Sequence, residues 1–398
     1  MAESRTGTRA TPLDPQRDAF ELADDVAYLN TAYIGPLLRD VAAAGHAAIE
    51  RRAAPWRIRP EDFFSEVERL RARTAELLER SGLEGATAEG VALVPSVSYG
   101  ITTAARNVGL GAGRTVIVLE EQFPSNVYPW RELATDVGGR VVTVARPSDD
   151  DWAGAVERAI DERTDVVAVP PVHWTDGTRV DLARVGAAAR AVGAALVVDA
   201  TQALGAVSLP LAEAEPDFLV AACYKWLLGP YSLGILWAAP QRREGRPLEA
   251  SWMAREGSDD FARVAEYRDD LRPGARRYDV GETANFTLVP MAVAAMERLL
   301  DWGVERIEAT LAARTHELAA AASTVGATPP PVAARSSHML GLSLPGGIGT
   351  EGLAASLADH AVHVSVRGAA VRVAPHLHTT DEDVARFREA LAAAVARG

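Results

Sequence analysis

Between residues 90 and 239 the sequence repeats one pattern: a short run of apolar and β-branched residues, then an alanine-rich stretch with helical spacing, then another run. The runs occupy 91–95, 115–119, 141–145, 166–170, 195–199, 218–222 and 233–237. Most are apolar at nearly every position rather than at alternate ones, which is how a strand reads when helices cover both of its faces. Helical spans at 152–163 and 182–192 fall between them. The pattern is therefore βαβ, and it predicts an α/β domain around a mainly parallel, seven-stranded sheet. In such a sheet ligands gather at the carboxyl ends of the strands.

The flanks read differently. An amphipathic helix at 61–80 leads into the repeat, 241–275 is charged and loop-rich, and 290–301 is helical again. From 303 to 398 two helical ends surround apolar runs at 340–344 and 370–373, which predicts a smaller α+β domain, with the prolines at 329–331 as a turn or linker. The expected organisation is a flexible tail over 1–19, an N-terminal segment over 20–60, a large domain over 61–289 and a small domain over 290–398. A chain of 398 residues, 48% hydrophobic and 24% charged, has the material for two cores. Its formal net charge of -13 excludes a generic nucleic-acid binder, which needs a basic surface. No run approaches the ~20 apolar residues of a membrane span, and the first 19 residues contain no secretion-signal core. Cys223 is the sole cysteine, so an internal disulfide is excluded and a reducing cytoplasm is the expected compartment. The pair His376 and His378 lacks a third ligand, so no metal site is expected. The glycine-rich 109–113 follows a helix and precedes a strand, the reverse of a dinucleotide loop.

Chemistry enters at two neighbouring strand ends. Asp199 closes the run 195–199, and Lys225 follows the run 218–222, so both arrive at one edge of the sheet. A carboxylate and an amine presented this way suit a pyridinium aldehyde, the amine holding the aldehyde as a Schiff base and the carboxylate keeping the ring nitrogen protonated. A structural ion pair on a strand edge explains these two residues equally well.

The surroundings add a resemblance. Asp199-x-x-Gln202, then a strand, then Lys225 with Gly229-Pro230 and Gly234, is similar to class V of the pyridoxal 5′-phosphate (PLP) aminotransferase superfamily, from about Tyr28 to the C-terminus. That class holds cysteine desulfurases, selenocysteine lyases, kynureninases and isopenicillin N epimerases. The resemblance implies fold type I of the PLP-dependent transferases, PLP as cofactor, an amino acid as substrate and a homodimer with sites at its interface. It places Val97 and Ser98 at the cofactor phosphate, where a helix begins and free N–H groups suit an anion. It stacks Phe123 on the ring, gives Gln202 the phenolic oxygen, and puts Tyr224 in the phosphate cup beside Lys225. It makes His173 a catalytic contact and puts Asp176 near the substrate carboxylate, where other members carry asparagine and where a carboxylate would repel a carboxylate. Arg372 becomes the α-carboxylate clamp, as a guanidinium pairs with a carboxylate through two parallel hydrogen bonds. Thr283 reaches across the dimer to the neighbour's phosphate. Asn30 and Tyr33 belong to a segment closing over the substrate, and Tyr33, Tyr128, Trp130 and Trp174 are candidates to line the pocket.

The departures narrow the activity. No cysteine lies between Arg367 and Arg372, where desulfurases carry their persulfide nucleophile, and Cys223 sits on a short connection beside Lys225. The expectation is a PLP enzyme working at the α- and β-carbons of an amino acid, a lyase by β-elimination of a sulfur or selenium group first, an epimerase or aminotransferase second. A non-catalytic PLP-binding protein is the rival from another class.

Overall fold

The computed structural model describes residues 10–345, 350 and 352–396. In chain order it contains β1 (Ala27–Tyr28), α1 (Arg39–Arg52), α2 (Ser65–Arg80), β2 (Val91–Val94), α3 (Val97–Val108), β3 (Thr115–Leu119), α4 (Tyr128–Val137), β4 (Arg140–Val144), α5 (Trp152–Ala159), β5 (Thr164–Val169), α6 (Leu182–Ala191), β6 (Ala195–Asp199), α7 (Leu211–Ala214), β7 (Phe218–Ala222) and β8 (Gly234–Ala238). It continues through α8 (Leu288–Trp302), α9 (Val304–Ser323), β9 (Leu340–Ser343), α10 (Leu353–Ala358), β10 (Val362–His363), β11 (Ser365–Arg367), β12 (Ala370–Val373) and α11 (Asp381–Val395).

Seven strands form one sheet in the order β2-β8-β7-β6-β5-β3-β4. All neighbours are parallel except β8, which runs against both β7 and β2. Alternate residues of each strand enter different cores, as a two-residue period requires. Ile117, Val167, Val198, Leu219 and Ile235 face one side, under α2, α5, α6 and α8. Val116, Val166, Val197, Val220 and Leu236 face the other, under α3 and α4. Continuous apolar runs are thus the signature of a sheet buried twice over. Gly100 lets α3 approach this sheet, for a Cβ there would lie 2.7 Å from Val220. A third core joins β1, the second half of α9 from Leu318, β9, β12 and α11, so the change of core falls inside α9. There β11, β12 and β9 form an antiparallel sheet.

Several sequence expectations shift. The helix expected over 61–80 is a 3-10 turn at Pro60–Phe63 followed by α2, and the one expected over 152–163 stops at Ala159. Asp161 ends it, accepting the Arg163 N–H at 2.9 Å in a side-chain turn that starts β5 early. The flexible tail is corrected for residues 10–19, while residues 1–9 lie outside the described residues. Leu13 N–H donates to Thr310 at 2.8 Å, Gln16 N–H donates to the Leu377 carbonyl at 2.7 Å, and Arg17 pairs with Asp383 at 3.1 Å. Among the described residues no helix is long and apolar enough to cross a membrane.

Candidate active site

Because β2, β3, β5, β6 and β7 point the same way, the loops after them meet at one edge of the sheet. They enclose a cavity of about 320 Å³ lined by Ser96, Val97, Ser98, Phe123, Trp174, Asp199, Thr201, Gln202, Tyr224 and Lys225, among others. Asp199 is 6% exposed and Lys225 is 5% exposed, and they form no ion pair with each other among the described residues. Burial pushes the Lys225 amine down to about 8, against the upward pull of Asp199. Burial likewise raises the Asp199 carboxyl, opposed by its bonds from Thr201 and by Lys225. Two buried, unpaired charges on one cavity wall are costly unless a ligand carries the complementary groups.

At the other end α3 begins. Its N-cap Ser96 accepts the Tyr99 N–H at 3.2 Å and shares a 2.9 Å hydrogen bond with the Ser98 hydroxyl. The first-turn N–H groups of Val97 and Ser98 have no intrahelical partner and open on the same cavity. Phe123 stands with its ring centroid 5.2 Å from the Lys225 amine and meets Trp174 edge to face at 5.3 Å. Gln202 is held at both ends of its amide, donating to the Ala32 carbonyl at 3.0 Å and accepting the Trp226 N–H at 2.8 Å. One amide N–H remains free to face the cavity. This donor set fits PLP: anion-binding N–H groups and hydroxyls at one end, an aromatic plate, a carboxylate and a primary amine.

Other expected residues stand elsewhere. His173 is corrected: its neighbours Val172 and Trp174 line the cavity, so the alternation of an extended stretch turns its ring away. It stacks on Trp152 at 5.3 Å, with Nε2 at 3.0 Å from the Glu120 carbonyl and Nδ1 at 2.7 Å from the Thr175 hydroxyl. Burial lowers its pKa, so it is a neutral strut. Asp176 is corrected as a substrate contact: it pairs with Arg146 at 2.7 Å and accepts both the N–H and the hydroxyl of Thr178. That pairing removes the repulsion its sequence position posed. The Asn30 amide is spent on Ser365 and the Val364 carbonyl, and Tyr33 is largely exposed, near enough to Tyr224 and Arg367 to perturb both. Thr283 is buried and donates to the Val280 carbonyl within its own chain. Of the four aromatic candidates Trp174 lines the cavity, whereas Trp130 is core and Tyr128 is surface. Arg372 is 1% exposed and donates to the Trp174 carbonyl at 2.7 Å.

Two contributors escaped the sequence reading. Thr201 donates its N–H to Asp199 at 3.1 Å and accepts the Ala222 N–H at 3.2 Å, bracing the two strand ends that carry Asp199 and Lys225. Arg146 was marked only by its place after a strand at the same sheet edge.

A family model described as Aminotransferase class-V matches residues 60–391. Isopenicillin N epimerase of Amycolatopsis lactamdurans is 28% identical, covering 96% of this chain and 98% of that protein. Kynureninase of Deinococcus radiodurans is 29% identical over 73% of this chain and 68% of its own. The apo structure of a cysteine desulfurase from Thermococcus onnurineus has the same fold, with a TM-score of 0.81 at 20% identity, over 98% of this chain and 100% of that one.

Proposed function

The chain belongs to the aminotransferase class-V family, whose cofactor is pyridoxal 5′-phosphate, and on that premise we propose that it is a lyase acting at the α- and β-carbons of an amino acid. When bound, the cofactor supplies an electron-withdrawing ring that acidifies the α-proton of an attached amino acid. Ser98 and the N–H groups of Val97 and Ser98 would hold the phosphate, with Tyr224 beside them. Asp199 would face the ring nitrogen, Phe123 one ring face, Gln202 the phenolic oxygen and Lys225 the aldehyde carbon. Arg372 would pair with the α-carboxylate and so help to orient the amino acid.

One observation carries the reading: among the described residues that line the cavity, Lys225 is the single amine base. His173 is sealed away with both ring nitrogens engaged. Burial raises the Tyr224 phenol, which makes it a poor acid. Lys225, brought down to about 8, is the group matched to removing an α-proton near neutral pH. With one base on one face, loss of a β-substituent needs no further proton carrier, whereas inversion needs delivery from the opposite face. A persulfide relay is not part of the proposal, because Cys223 is fully buried and its thiol is pushed up to about 12. Inversion at the α-carbon is the second reading, favoured by the end-to-end similarity to an epimerase.

A homodimer, a cytoplasmic location, and a division into a large cofactor-binding unit and a smaller C-terminal one belong to the same proposal, while Thr283, buried with its hydroxyl donated to Val280, is not assigned to a neighbouring site. The change of core inside α9 supports two units but not a border at 289/290, since α8 and the first half of α9 pack in the large core. The test is an amino-acid panel in deuterated water followed by NMR. A keto acid plus ammonia is the expected result. Deuterium at an inverted α-carbon would replace the lyase with an epimerase, and a new amino acid formed from an added keto acid would replace it with a transferase. Purified protein that binds PLP yet turns over no amino acid would overturn catalysis altogether.

A further inference from the structure

β11 and β12 form a tight hairpin in which Ser365 stands opposite Arg372 and Arg367 opposite Ala370. Paired residues, and residues two apart on a strand, share a face. Arg367 and Arg372 therefore project from the same side of the hairpin, and their guanidiniums lie 5.6 and 6.0 Å from the centroid of the Trp174 ring. That ring lines the cavity that holds Lys225. On that same face the Ser365 hydroxyl donates to Asn30 at 2.7 Å, which ties the hairpin to the N-terminal segment.

Neither arginine has an anionic partner among the described residues. Arg372 donates to the Trp174 carbonyl at 2.7 Å and Arg367 to the Val366 carbonyl at 2.8 Å, while the Nε of each is buried without a hydrogen-bond partner. The nearby carboxylate of Asp176 is taken by Arg146. Lys225, Arg367 and Arg372 thus stand within electrostatic reach of one another, with Asp199 as the opposing charge that reaches Lys225. Placing two guanidiniums together, partly dried and unneutralised, is unfavourable unless a ligand brings anions to both. An α-carboxylate satisfies one of them.

Building on the reading of this cavity as an amino-acid site, we propose that Arg367 binds a second acid group, so that the substrate is an amino acid with an anionic oxo-acid on its side chain. Trp174 lies beneath both cations and holds them in place from its π-face. A carboxylate and an oxidised-sulfur acid share this chemistry, and a panel of aspartate, glutamate, cysteine sulfinate and norleucine separates the sources.

The test uses the holoenzyme and two unreactive probes, glutarate and butyrate, with affinities measured by calorimetry. Glutarate is expected to bind roughly tenfold or more tightly than butyrate. Arg367→Gln should bring that ratio close to one, and Arg367→Lys should restore part of it. Among the amino acids, an acidic member should show the lowest KM, and Arg367→Gln should raise that KM more than it lowers kcat. Equal affinities in the unaltered protein would overturn the inference. So would an Arg367→Gln protein that keeps the ratio but changes its sedimentation, which would assign Arg367 to a neighbouring subunit's carboxylate. If apolar amino acids are turned over and the ratio is unmoved by Arg367→Gln, the amino-acid site stands and the acidic substrate falls. If neither probe binds and no amino acid reacts, the site reading itself fails.

Discussion

Lys225 keeps its amine inside the cavity wall because the apolar strand β7 ends three residues before it and the following loop folds back over the sheet. Burial brings the amine down to about 8, so its protonated, unreactive form dominates below that pH. The rate at which the apoprotein takes up PLP should therefore climb about tenfold per pH unit on the acid side and level off above about 8. Stopped-flow absorbance across this range checks it, and Lys225→Ala should abolish the yellow product. Asp199→Asn keeps the shape of the site but loses the charge, and should leave cofactor bound while turnover falls roughly 10²-fold or more. Asp199 and Lys225 were readable from sequence because one closes an apolar strand and the other follows the next. The turned-away ring of His173 and the Arg146–Asp176 pair were not, because a side chain's direction in a loop depends on what packs behind it.

Among the elements, the N-terminal segment braces the loop that carries Tyr224 and Lys225 into the cavity. Gly35 donates its N–H to the Tyr224 carbonyl at 2.8 Å, and a Cβ there would lie 2.3 Å from the Lys225 carbonyl oxygen. The clash is with backbone, so Gly35→Ala must displace either the segment or the lysine loop. The expected cost is about 1–3 kcal/mol, read as a lower urea midpoint, together with a raised KM for the substrate. Nothing in the sequence marks this glycine, since its partner lies far along the chain. The sheet strands, by contrast, were legible almost to the residue, because a strand buried on both faces leaves a continuous apolar run. Helix ends were read less well, as α5 shows, where one aspartate side chain stops the helix early.

For the whole molecule, the seam between the cores carries an acid-sensitive cluster. His338, His376 and His378 are fully buried, His376 and His378 stack at 6.3 Å, and His338 lies 4.4 Å from Trp226 and donates to the Gln202 carbonyl. Burial drives His338 and His378 down to about 4 and His376 well below its usual value. The folded pKa values lie below the unfolded one, so the stability they contribute is fully present above about pH 6.5 and is lost as pH falls through about 4. Urea midpoints should thus be level above neutrality and drop steeply between those limits, and replacing His376 by phenylalanine or leucine should flatten the drop. Because His338 touches Gln202 and His378 donates to the Tyr28 carbonyl at 2.7 Å, the loss should reach the cavity first, as early release of PLP.

The sequence by itself determined the layered architecture and the chemical class of the site. Continuous apolar runs and helical spacing are local properties, and the groups that follow each run must emerge at a sheet edge. Tertiary structure alone decided which of those groups face the ligand. It paired Asp176 with Arg146, turned His173 into the core, and brought the hairpin with Arg367 and Arg372 over Trp174 from nearly two hundred residues away. Such contacts are fixed by packing between distant segments, and no local periodicity encodes them.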